Sequence, residues 1–149
     1  MDVQPVYGVP ALRIDDTYII ADLHIGVESH LMKKGFHLTS RTEEMFATIF
    51  ETSGGCDHLI VLGDVKDTVP GSSRQEYREI PDFFQKLMKM FDIIDVVRGN
   101  HDTNIEDFLP KGVRVRPSTG MRIGDVGYIH GHTWPSEEVM GSKTLVMSH

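Results

Sequence analysis

The chain has 149 residues, 40% of them hydrophobic and 25% charged, the composition of one globular domain with enough apolar residues for a core. Fifteen Lys and Arg against 22 Asp and Glu give a formal charge of −7, which argues against a broad electrostatic footprint on nucleic acid, although cations held by clustered acids would neutralise part of it. No apolar run approaches the ~18–20 residues of a membrane span, the opening Met1-Asp2-Val3-Gln4-Pro5 lacks the basic and apolar parts of a signal peptide, and the single Cys56 excludes an internal disulfide and a cysteine-based zinc site. These features lead one to expect a single domain over residues 1–149, a cytoplasmic location and no membrane partner.

In chain order, Val9 to Ala21 read as two short strands around the turn Asp15-Asp16. The polar stretch from Glu28 to Thr39, with Lys33, Lys34 and Gly35, reads as a loop. Ser40-Arg41-Thr42-Glu43 has the form of a capping box, and Met45, Phe46, Ile49 and Phe50 make a helical apolar stripe that stops at Gly54-Gly55. After the apolar run Leu59 to Leu62, the breakers Thr68 to Ser73 mark a second loop. Pro81 then opens a helix whose buried face is Phe83, Phe84, Leu87, Met88 and Phe91. A strand over residues 93–97 follows. Strand and helix alternate this far, which predicts a largely parallel sheet. From Pro110 the pattern changes to short strands at Val113 to Arg116, Met121 to Ile123, Val126 to Ile129 and Leu145 to Met147, which reads as a second, antiparallel sheet packed on the first.

Five apolar runs end in chemistry-bearing residues. They lead into Asp22-Leu23-His24, Gly63-Asp64-Val65-Lys66-Asp67, Gly99-Asn100-His101-Asp102, His130-Gly131-His132 and Ser148-His149. Carboxylates, an amide and imidazoles at the carboxyl ends of strands form the donor set for divalent metals with mixed oxygen and nitrogen ligands. Asp102 reads equally as a residue supporting this set or as a cap for the turn Thr103 to Phe108. His30, His37 and His58 fall in no pattern and read as surface or packing residues.

These endings, in this order, resemble the signature of the calcineurin-like metallophosphoesterase superfamily, and Ala21-Asp22-Leu23-His24-Ile25-Gly26 most resembles an archaeal and bacterial group related to its repair-exonuclease branch. The resemblance implies a four-layer αββα fold, an α/β two-sheet sandwich flanked by helices. It also implies two divalent metal ions, manganese first and zinc, iron, cobalt or nickel after it. Asp22 and His24 would hold the first, Asp64 would bridge both, and Asn100, His130 and His149 would hold the second. His101 would face the leaving group, and Asp67 would accept a hydrogen bond from His101. We take His130 as the ligand because it directly ends its strand; His132 stands as a substrate contact, a supporting group or the ligand in its place. The implied reaction is phosphodiester hydrolysis by attack of a hydroxide bound to both metals.

The chain departs from that pattern in two respects. Family members finish with Gly-His-x-His where this chain has Ser148-His149 and stops, and their domains continue with strands of the second sheet. The expectation is a chain truncated within the last metal motif, with an incomplete second sheet whose open edge favours a homo-oligomer. Two other functions stay in view. One is a nuclease acting on DNA or RNA ends, for which Lys33, Lys34, Arg41, Lys66, Arg74, Arg78 and Arg98 are candidate groove residues. The other is a non-catalytic metal-binding interaction module. The partner is thus a phosphoester substrate, small molecule or nucleic acid.

Overall fold

Alternation along the central strands decides how the layers stack. In the computed structural model, which describes residues 2–149, six strands pair in chain order: β1 (Val3–Pro5), β2 (Leu12–Ile14), β3 (Thr17–Ile20), β4 (His58–Leu62), β5 (Ile93–Val97) and β6 (Arg114–Arg116). The first two pairings are antiparallel and the other three parallel. Successive side chains of a strand point to opposite faces. Tyr18, Ile20, Leu59, Val61, Ile94 and Val96 therefore share one core, while Ile19, Ile60, Leu62 and Val97 share another.

The helices are α1 (Val27–Lys33), α2 (Thr42–Thr52) and α3 (Arg74–Met88). Ile49 of α2 and Ile80, Phe83, Phe84 and Leu87 of α3 fill the first core. The second core is closed by Val126, Tyr128 and Val146 of a smaller sheet, formed by β7 (Met121–Ile123), β8 (Val126–Ile129) and β9 (Thr144–Met147). The short α4 (Glu137–Met140) lays Val139 against Gly120 and Gly127 of that sheet. The result is the two-sheet sandwich flanked by helices, with a second sheet of fewer strands, that the sequence leads one to expect.

Several local expectations are corrected. The first part of the stretch from Glu28 to Thr39, up to Lys33, is helix α1 and only the remainder is loop: the helix has no apolar stripe, and its one buried residue is Glu28. That carboxylate accepts from the Arg41 N–H at 2.7 Å and from Gln75 Nε2 at 3.3 Å, contacts across long sequence separations. The capping box is at Ser73 and Glu76, not at Ser40 and Glu43, because Ser40 Oγ donates to Glu79 at 2.5 Å. Pro81 accordingly lies inside α3. Phe50 and Met88 are exposed. β6 joins the first sheet, and β9 pairs with β8 in parallel, so the second sheet is mixed.

His58 is a packing residue after all, and its partner is the completely buried Asp95. Asp95 takes hydrogen bonds from His58 Nε2 at 2.6 Å, from Arg114 Nε and Nη2 at 2.8 and 2.7 Å, and from Arg116 Nε at 2.9 Å. Burial raises its carboxyl, but these four bonds outweigh it and hold the group far below the ordinary value. A depressed folded-state pKa stabilises the fold fully above the unfolded value of ~3.9 and loses that contribution as pH falls towards the folded one. Asp95→Asn is therefore expected to cost about 2 kcal/mol at pH 7, with parent and variant converging in urea melts as the pH is taken below ~3.

Candidate metal centre

Where β3 and β4 end, their chains stay paired. Asp22 N donates to Gly63 O at 3.0 Å, His24 N to Asp64 O at 2.9 Å, and Ile25 N to Val65 O at 2.8 Å. The two tips thus run side by side, with Asp22, His24 and Asp64 at φ 55, 45 and 54°. A side chain in that left-handed region costs about 1–2 kcal/mol, and such strain concentrates where function requires it. Two glycines allow the closure. A Cβ on Gly63 (φ 78°) would lie 2.5 Å from His130 Nδ1, and one on Gly99 would strike the backbone of Asp64.

Asp102, wholly buried, ties the tips of β4 and β5 together. Its Oδ2 accepts from Asp64 N and Gly99 N, both at 2.8 Å, and its Oδ1 from Val65 N at 2.9 Å and Lys66 N at 3.2 Å. Its role is this junction, with no side-chain bond to the turn Thr103 to Phe108. Burial pushes the Asp102 carboxyl up, with the N–H groups of Gly99, Lys66 and Asp64 pulling against it and the charge of Asp64 adding to it.

The tips bring the candidate ligands together. Donor atoms of Asp22, His24 and Asp64 lie within 4.8 Å of one another. His24 Nε2 is 3.6 Å from Asp64 Oδ2, and His130 Nε2 is 3.3 Å from the same oxygen. The other Asp64 oxygen accepts the His101 N–H at 2.9 Å. His130 donates from Nδ1 to the Leu62 carbonyl at 2.8 Å, which turns Nε2 towards the cluster, 3.1 Å from Asn100 Oδ1. The His149 ring centroid is 5.0 Å from that of His130, and its N–H donates to the His130 carbonyl at 2.7 Å. The His132 ring centroid is 5.3 Å from that of His130.

This set fits divalent cations. Among the described residues no lysine or arginine pairs with Asp22 or Asp64, and burial raises the Asp22 carboxyl, offset in part by His130. Buried Nδ1 atoms of His24 and His132 have no aligned hydrogen bond. Two carboxylates short of positive charge, beside imidazole nitrogens and an amide oxygen, are the donors such cations take.

Two sequence expectations change here. His101 Nδ1 bonds the main-chain carbonyl of Asp67 at 2.7 Å, not its carboxylate. The Asp67 N–H is held by Ile25 O and Glu76 Oε2, each at 3.2 Å, which turns the carbonyl to His101 and the carboxylate to His24. Lys66 is not a groove residue: it is buried, donating from Nζ to Gly71 O at 3.0 Å and Thr103 O at 3.2 Å above the Phe108 ring. Arg98 is likewise occupied, by the Asp102 carbonyl and Glu106. Glu76 went unnoticed in the sequence, although Ser73 and Glu76 show the capping-box spacing. A cavity of ≈330 Å³ opens beside Asp22, walled by Val9, Ile20, Leu23 and Met45 with Arg41 among its lining.

The strand tips of the two-sheet sandwich thus carry a cluster of carboxylates and histidines suited to divalent cations. Residues 17–148 match the calcineurin-like phosphoesterase family, and the chain belongs to it. No match was found among curated proteins. The crystal structure of Pseudomonas putida nuclease MPE is similar in fold, with a TM-score of 0.56 and 20% identity over 81% of this chain and 57% of that one. This chain thus corresponds to little more than half of that protein's length.

Asp102→Asn places an amide NH₂ against N–H donors, leaving buried groups unpaired. The expected loss is about 3 kcal/mol of unfolding free energy, read from denaturant melts without metal.

Proposed function

We propose that this chain carries the centre of a metal-dependent phosphodiesterase, with two divalent cations, manganese first among them. The observation that carries the reading is the convergence of Asp22, His24 and His130 on the single side chain of Asp64, with Asn100 Oδ1 against the same nitrogen of His130. When bound, such cations draw charge from the phosphoryl group and make water acidic enough to ionise near neutral pH.

The residues of this chain do the rest. Asp64, with one oxygen accepting from His101 N and the other between His24 and His130, holds the two halves of the site in register. Asn100 adds an oxygen donor without adding negative charge. His101 donates from Nδ1 to the Asp67 carbonyl, so Nε2 is its free nitrogen, and only the imidazolium form, protonated on both nitrogens, would give a proton from Nε2 to the leaving oxygen or stabilise the charge there. The apolar cavity beside Asp22 receives the ester's organic group. His149 joins the second ligand group, and the chain works in the cytoplasm.

A second reading, a nuclease acting on DNA or RNA ends, draws on the structural neighbour that is itself named a nuclease. Burial of Lys66 and the pairing of Arg41 with Glu44 favour a smaller diester first. A salt-dependent affinity for single-stranded or duplex ends, steep in log salt, would raise the nuclease above it.

With manganese, the chain is expected to hydrolyse bis-p-nitrophenyl phosphate faster than p-nitrophenyl phosphate, and chelator is expected to stop both. Asp64→Ala should be inactive, and cleavage at the parent rate would refute the reading. His101→Ala should lose about 10²–10⁴-fold in kcat while calorimetry shows manganese affinity unchanged.

A further inference from the structure

We infer that Asp67 is a positioning residue for the metal centre that acts through His24: its carboxylate holds the proton of His24 on Nδ1 and so presents Nε2 to the group formed with Asp22 and Asp64. The inference rests on the metal-centre reading above and assigns that centre one more residue.

His24 has two ring nitrogens with different surroundings. Nε2 faces Asp64 Oδ2 at 3.6 Å, within the cluster that includes Asp22. Nδ1 is buried, lacks an aligned hydrogen bond, and faces Asp67 Oδ1 at 3.2 Å. A neutral imidazole carries one proton, and a ligating nitrogen must be the bare one. Both nitrogens face a carboxylate, Asp67 at 3.2 Å and Asp64 at 3.6 Å, and a cation held with Asp22 and Asp64 needs Nε2 bare, so the proton belongs on Nδ1 beside the nearer carboxylate. A buried N–H without that acceptor would go unpaired, at a cost that favours the wrong tautomer.

Asp67 is itself held for this task. Its N–H is shared by Ile25 O and Glu76 Oε2, and its carbonyl is occupied by His101 Nδ1. The carboxylate is left to His24, whose ring packs edge-on against His101 at 5.1 Å. One residue therefore sets two histidines through different atoms. The main-chain oxygen serves His101 and survives any substitution, whereas the side chain serves His24. A carboxylate behind a ligating histidine fixes its ring and raises its basicity, and removing such a partner weakens metal binding about 10–100-fold.

The test is a cycle of manganese titrations by calorimetry on the parent, Asp67→Asn, Asp67→Ala, His24→Ala and the double variant, with metal-free circular dichroism melts as the folding control. Asp67→Ala should weaken binding about 10–100-fold. Asp67→Asn, which keeps an acceptor oxygen, should recover part of that loss. In the His24→Ala background, Asp67→Ala should change nothing further. A loss that persists undiminished in that background makes Asp67 a direct ligand or a partner of His101 and overturns the inference, as does an Asp67→Ala variant with parental affinity. Nitrogen-15 spectra of the metal-free histidine rings above pH 8 provide a second readout. His24 should be the Nδ1–H tautomer in the parent and a mixture in Asp67→Ala; a mixture in both overturns the inference even if no variant binds manganese. A parent that binds no manganese while its His24 shows the Nδ1–H tautomer refutes the metal-centre reading alone.

Discussion

Four backbone N–H groups, from Asp64, Val65, Lys66 and Gly99, converge on the one buried carboxylate of Asp102. Beyond the end of β4 the chain turns through a left-handed residue, Asp64; the carbonyls of Asp64 and Val65 stay paired with the extension of β3, but the N–H groups there need acceptors outside the ladder. Buried backbone donors must find acceptors, and Asp102 supplies them from the tip of the neighbouring strand. The same residue thereby locks Asp64 against Asn100 and His101, which lie on its own loop. A fold whose ligands came from strands without this junction would have them within range but not in register.

The rest of the support is built outwards from that junction. Glu76 closes the amino terminus of α3 through Ser73 and reaches with its second oxygen to the N–H groups of Asp67 and Thr68. Lys66 spans from Gly71 to Thr103 beneath the loop that carries His101. Both are charged groups taken out of water, and each is satisfied by groups that lie on segments flanking the site. His130 is treated in the same way: its Nδ1 is spent on the Leu62 carbonyl, and Ser148 Oγ donates to that oxygen at 2.8 Å. The strand tips are therefore braced by hydrogen bonds where they would meet the candidate cations, and the cavity at Asp22 lies beside them.

Much of this was written locally in the chain. The apolar runs at residues 18–20, 59–62 and 93–97 have no polar residue inside the part that packs, apart from Asp95, so burial on both faces was readable. The abrupt change to Asp, Asn and His at each tip marked the site. Asp95 itself shows the limit. It interrupts a strand with a charge, and only the register of β4, β5 and β6 brings His58, Arg114 and Arg116 to it. Helix α1 was hidden for a similar reason: its stabilising bonds run from Glu28 and Ser29 to Arg41 and Gln75, and no periodicity within seven residues reports them.

By itself, the sequence determined the strand and helix alternation, the two apolar faces of the central strands, and the identity of the side chains delivered to one end of the sheet. These follow from period, composition and where apolar runs stop, all of which act over a few residues. Tertiary structure alone decided which sheet β6 joins, which oxygen of Asp67 serves which histidine, that Lys66 is a buried brace instead of a groove charge, and that Asp102 joins two strand tips instead of capping a turn. Those outcomes depend on which atoms meet between segments that only the fold brings together, and a one-dimensional pattern carries the kinds of groups available but not the direction in which each one points.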